Sequence, residues 1–155
     1  MEMNSLNPKI SWRIREDFNE DNTGGEYVQY KSYTEEGSLI PGDFLIKNIQ
    51  VWNNYLGKED AQDAKNCVLV IAFKNFEDSF LLSLIDVAIN NVNYPLEIDI
   101  DKGIVNIGDL SGVANAGNDS NESNYKNIQL TIGPIPENIK SELKSMYLYL
   151  EYAID

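Results

Sequence analysis

The residues of this chain whose types and spacing could do chemistry carry oxygens and aromatic rings, not nucleophiles. Asp17, Asn19 and Asp21 alternate like the opening of a cation-wrapping loop, and Glu26 follows them. Calcium takes several carboxylate and carbonyl oxygens from one flexible segment, so the residue types suit it. The pattern departs from the EF-hand loop twice, with Asn22 where that loop needs glycine and Val28 where it needs glutamate. The flanks also read as strands, so an ordinary acidic loop accounts for the same residues. No cofactor is expected, and calcium at Asp17, Asn19 and Asp21 is the single metal the residue types would admit.

Asp99 and Asp101 are outward carboxylates at a tight turn, Asp101-Lys102-Gly103, with Asp109 further along. Two carboxyls could hold a cation or act as a glycosidase pair. Both fall on an alternating polar face, where nothing would push one pKa away from the other, and a solvated strand face explains them. The chain has no histidine, which removes the commonest general base and every Ser-His or Cys-His nucleophile. The sequence is therefore expected not to be an enzyme.

The aromatic residues offer recognition instead of catalysis. Tyr147 and Tyr149 lie opposite the apolar stripe of the last strand, Tyr27 and Tyr33 share a face with Gln29 and Lys31, and Trp52 and Tyr55 flank a loop. Such rings anchor protein interfaces or stack on sugars. Burial on both faces of an internal strand would account for Tyr147 and Tyr149 equally well. The Gly-, Asn- and Ser-rich stretch Ser111–Asn124 reads as a long exposed loop, of the kind that carries recognition on a rigid scaffold. Its two N-x-S triplets, at Asn118 and Asn121, are expected to be chance matches, because Met1–Asp17 lacks the apolar segment of a secretory leader.

The elements that must position these residues are strands. Cys67–Phe73 and Phe80–Ile89 are apolar runs separated by Lys74–Ser79, and they predict a hairpin at the centre of one sheet. Lys9–Arg15, Leu96–Ile100, Tyr125–Ile132 and Met146–Ile154 alternate apolar and polar residues, as half-buried strands do. Glu26–Tyr33, Asp43–Asn53 (with a bulge near Asn48 or a crossing between sheets) and Ile104–Leu110 complete the set, and Pro95 places the start of Val92–Ile100 at an edge or bend. Pro136, Glu137 and the Ile139/Leu143 spacing predict one short helix within Pro134–Ser145. The expectation is an all-β single domain over residues 1–155, a β-sandwich or jelly roll of about nine mostly antiparallel strands, with 1–8 a polar arm.

With 25 Asp and Glu against 12 Lys and Arg, the formal charge is −13. Such a surface repels phosphate backbones, so no nucleic-acid partner is expected, and no window reaches the roughly 20 apolar residues of a spanning helix. The one cysteine, Cys67, sits in the most apolar run and excludes an internal disulfide. Together these features predict a structural or interaction protein made in the cytoplasm, a homo-oligomer or part of a larger complex. A bacteriophage virion component is the first such assembly, given the bias towards Asn, Ile and Lys, and a carbohydrate- or calcium-binding β-sandwich module is the alternative.

Overall fold

A computed structural model describes residues 7–18, 24–28, 32–118, 120–138 and 142–154, with side chains outside 14–39 and 142–144. Eleven strands make up two antiparallel sheets. They are β1 (Ile10–Phe18), β2 (Gly24–Val28), β3 (Ser32–Leu39), β4 (Leu45–Asn53), β5 (Ala64–Phe73), β6 (Ile85–Ile89), β7 (Val92–Tyr94), β8 (Glu97–Asp99), β9 (Lys102–Leu110), β10 (Tyr125–Ile132) and β11 (Glu142–Ala153). The six-stranded sheet has the order β2-β1-β4-β10-β6-β7, and the five-stranded sheet β3-β11-β5-β9-β8. Only β1–β2, β6–β7 and β8–β9 are successive strands of one sheet; every other connection carries the chain to the opposite sheet. No helix among the described residues is long and apolar enough to cross a membrane.

Alternation decides which side chains meet. Trp12, Ile49, Val51, Ile128 and Leu130 from the larger sheet share one hydrophobic cluster with Leu69, Ile71, Val105, Leu148 and Leu150 from the smaller. The period of two puts every second residue of each strand into that cluster. Burying an aliphatic side chain of this kind contributes about 1.5–3 kcal/mol, so the shared core is the main source of stability.

The all-β expectation is met, and the differences have local causes. The expected central hairpin does not form, because β5 pairs with β9 and β11 while β6 pairs with β10 and β7. The two runs lie in different sheets, joined by a 3-10 helix over Phe76–Leu84 that turns Leu81 and Leu82 into the core and leaves Glu77, Phe80 and Ser83 outside. Three residues per turn puts side chains i and i+3 on one line, which matches that division. Apolarity in Phe80–Leu84 therefore reflects a buried cap over the sheet ends, not a strand.

The expected helix within Pro134–Ser145 is likewise absent where the chain is described. Ile135 is buried and spends its backbone on Asp43 O and Gly42 N, and Glu142–Ser145 is already part of β11. Residues 139–141 lie outside the described residues. The nine expected strands become eleven because Glu26–Tyr33 divides between β2 and β3, in different sheets, and Val92–Ile100 divides at Pro95. The register of β4 against β10 is continuous from Leu45 to Trp52, so no bulge occurs at Asn48. The change in pattern there comes instead from burial of both faces beyond Ile49.

Cys67 is wholly buried, and burial pushes its thiol up to about 11. A raised folded pKa means that the native state keeps its proton while the unfolded chain loses it. Stability is therefore full below about pH 9 and falls as pH rises towards 11, by about 2 kcal/mol from this group. Urea denaturation from pH 8 to 11 should show that decline in the natural chain and a shallower one in Cys67→Ala.

Candidate functional site

The face of the six-stranded sheet turned away from the core carries an unusual set of polar residues. On β4, Asn48, Gln50 and Trp52 alternate with the core residues; they stand in register with Gln129, Asn127 and Tyr125 of β10, and Ser11 and Arg13 of β1 extend the row. Trp52, Gln50 and Arg13 are all buried there. The Trp52 ring stacks on Tyr125 with centroids 4.5 Å apart and meets Tyr55 edge-on at 4.8 Å, while the Arg13 guanidinium lies 5.0 Å from the Tyr55 ring centre. An aromatic cluster with a cation on its face is a rigid, desolvated support.

That support fixes a chain of amides. Gln50 Oε1 accepts from Trp52 Nε1 at 2.9 Å and from Arg13 Nη1 at 3.4 Å, which turns its Nε2 to donate to Asn127 Oδ1 at 2.8 Å. Gln129 Nε2 donates to Asn48 Oδ1 at 3.0 Å, and Asn90 Oδ1 accepts from Asn127 N at 2.9 Å. Beside this chain lie two neighbouring cavities of about 280 and 250 Å³, which share Asn91 and Asn127. The first is floored by Ala88 and Gln129, and the second reaches Tyr125 and Glu122. Asn90 and Asn91 form the β6–β7 turn with φ of 50° and 68°, a left-handed pair that asparagine accepts.

The loop after β9 is held, not free. Asn54, Asn115 and Asn124 are buried, and their amide nitrogens donate to backbone carbonyls of Glu59 and Gly112, of Asn54 and Val113, and of Asn53, Ser111 and Val113. Asp63 and Asp60 accept from Gly112 N and Ala114 N, both at 2.9 Å. The approach is so close at Gly112 that a Cβ there would stand 2.2 Å from Ala61 O. This lacing ties 54–63 to 111–124 and places Glu122 and Tyr125 at the groove. The expected long exposed loop is thus an anchored one, and its Asn118 and Asn121 close Asx turns on Ser120 and Ser123.

The opposite end of the sheets is apolar and exposed. There β3, β5 and β10 end and β4, β6, β9 and β11 begin, and the loops present Ile40, Phe44, Phe76, Phe80 and Ile100, each more than half exposed. Among the described residues, Asp43, Glu77, Glu137, Asp99 and Asp101 stand with them, against Lys74 and Lys102. Ile100 has φ of +57° in the β8–β9 turn.

The residues singled out from sequence are scattered between these places. Trp52 and Tyr55 meet behind the groove, where Trp52 is a buried support and not an exposed platform. Tyr147 is exposed and Tyr149 half-buried on the outer face of the smaller sheet, opposite the buried Met146, Leu148 and Leu150; Lys102 hydrogen-bonds Tyr149, which raises the lysine's pKa. Tyr27 stands opposite Arg13 on β2 and Tyr33 opposite Leu148 on β3, in different sheets, so they share no face. Asp17 ends up late in β1, and Asn19 and Asp21 lie outside the described residues. Asp99 ends β8 and Asp101 is the second residue of the turn into β9, whereas Asp109 is at the far end of β9, on the order of 25 Å along the strand, where it pairs with Lys65 at 3.8 Å. Among the described residues, no three His, Cys, Asp or Glu side chains converge as a metal site. Arg13, Asn48, Gln50, Asn127 and Gln129 were not singled out; the signal available was the recurrence of Asn and Gln on the polar register of two strands.

Compared with family models, with curated proteins and with solved structures, the chain matches none. Its function is argued from these surfaces.

Proposed function

We propose that this chain is a non-catalytic interaction protein that docks, by the exposed apolar end of its two sheets, onto a protein surface with an apolar centre and a basic rim. The observation that carries the reading is Ile100. A β-branched residue at φ +57° costs the fold about 1–2 kcal/mol, in a turn where Gly or Asn costs almost nothing. At 81% exposure its side chain gains little in return within the monomer. A strained and exposed apolar residue beside Phe76, Phe80, Ile40 and Phe44 is what a docking surface requires.

Charge selects the occupant. Among the described residues, five carboxylates against two lysines make the rim of this end acidic, on a chain of net charge −13. Two copies meeting end to end would bring like charges together, whereas a basic rim would be attracted. The assembly we read the chain into is a bacteriophage virion, as a capsid accessory, tail, baseplate or fibre-attachment part. The support for that context is the Asn-, Ile- and Lys-rich composition and the lack of histidine.

The test joins stability to docking. Ile100→Asn should raise stability by about 1 kcal/mol in urea denaturation, because asparagine tolerates the left-handed region. The same change, and more strongly Phe76→Asp with Phe80→Asp, should release the partner recovered from the native source. Cross-links from Lys74 or Lys102 into that partner's basic surface are the expected localisation. Cross-links confined to other faces, or self-association through this end in light scattering, would overturn the reading.

A further inference from the structure

We infer that the amide-lined groove on the outer face of the six-stranded sheet is a binding site for a neutral saccharide. Each cavity, of about 280 and 250 Å³, sits just below the smallest ligand pockets, of about 300 Å³, and the two lie side by side with Asn91 and Asn127 in both linings. Room for one or two sugar rings follows.

The chemistry of the wall chooses the class. A sugar hydroxyl both donates and accepts, and so does a side-chain amide. The hydrogen bonds behind the wall have already fixed which atom of each amide is left over. Asn127 Oδ1 is taken by Gln50, so Asn127 Nδ2 remains as a donor; Gln129 Nε2 is taken by Asn48, so Gln129 Oε1 remains as an acceptor. Asn90 offers its Nδ2, since its Oδ1 holds Asn127 N. Because Gln50 is itself clamped by Trp52 and Arg13, this donor and acceptor pattern exists before any ligand arrives, and preorganisation of that kind raises affinity.

Two other ligand classes fit less well. Among the described residues, the lining includes no cationic side chain and does include Glu122, so a phosphate, sulfate or uronate would meet a carboxylate without a counter-charge. A peptide added as a strand needs an open sheet edge, and β4, β10 and β6 are each paired on both sides. Amide side chains of the internal strands and of the β6–β7 turn, not an open strand edge, are what the groove presents.

The experiment is a titration of the 15N-labelled chain with glucose, galactose, mannose, N-acetylglucosamine, maltose, lactose and cellobiose, followed through backbone and side-chain amide resonances. At least one neutral sugar should shift the side-chain signals of Asn91, Asn127 and Gln129 in a saturable way. Asn127→Leu should weaken that binding at least about tenfold, the worth of one hydrogen bond. Gln129→Leu, at an exposed position that the core does not use, should do the same with the fold intact. Absence of saturable shifts with every sugar up to its solubility would overturn the inference. So would shifts confined to other faces, or a response only to glucuronate or to a short peptide.

Discussion

Asn53→Leu is expected to cost about 3–5 kcal/mol of stability, although it exchanges one buried side chain for another of similar size. Asn53 is fully buried, and its amide satisfies three backbone groups at once: Lys9 N at 2.8 Å, Gln62 O at 3.0 Å and Leu110 O at 3.1 Å. Leucine would leave all three without that partner, and each unmade bond in a buried place costs about 1–3 kcal/mol. Such a loss is a large part of a typical folding free energy of about 5–15 kcal/mol. It should appear in urea denaturation as a lower midpoint at unchanged slope. Asn93→Leu, at an exposed position of β7, is the control and should change stability by less than about 0.5 kcal/mol. A loss below about 1 kcal/mol at Asn53 would mean that water replaces the amide, and that the lacing of 54–63 to 111–124 is not what holds this end.

Asn53 also shows where sequence reading stops. Most strands with strict alternation were legible, because a period of two is local: Ile10 and Trp12, then Ile128, Leu130 and Ile132, then Met146, Leu148 and Leu150 all face the core as expected, whereas Leu96–Ile100, read as half-buried, leaves Ile98 and Ile100 exposed. The break at Pro95 was legible for the same reason, since turn chemistry is carried by three or four residues, but the turn read at Asp101-Lys102-Gly103 falls at Ile100-Asp101, with Lys102 and Gly103 already paired to Asp99 and Ile98. Pairing was not legible. Cys67–Phe73 and Phe80–Ile89 are neighbours in sequence and both apolar, yet one run is a strand of the smaller sheet and the other a buried 3-10 cap followed by a strand of the larger. Apolarity marks what is covered, not what covers it.

The candidate site was hidden by the same limit. Asn and Gln on the polar side of a strand read as solvated, and Asn in a Gly- and Ser-rich stretch reads as loop. Whether an amide faces water or a backbone carbonyl depends on a partner 40 to 60 residues away, as for Asn54 with Gly112 and Asn53 with Leu110. Trp52 and Tyr55 were found by residue type, and their role was reversed by burial: they build the wall behind the groove instead of lining it.

Trp52 is therefore the residue at which fold and recognition can be separated by experiment. Trp52→Ala removes a wholly buried ring, its stack on Tyr125 and its donor to Gln50, and should cost about 3–5 kcal/mol. That variant loses stability and any groove function together, so by itself it says only that the wall is needed. Trp52→Phe keeps an aromatic ring against Tyr125 and deletes the indole donor, leaving Gln50 Oε1 with the longer Arg13 contact at 3.4 Å. Stability should fall by only about 1 kcal/mol, the net worth of one hydrogen bond. With Gln50 less firmly oriented, its Nε2 no longer dictates the orientation of Asn127, and saccharide affinity should fall by about tenfold or more while the protein remains folded at the titration temperature. Equal affinity in Trp52→Phe and the natural chain would show that the amide polarity is set within the groove itself, and Trp52 would then be a packing residue alone.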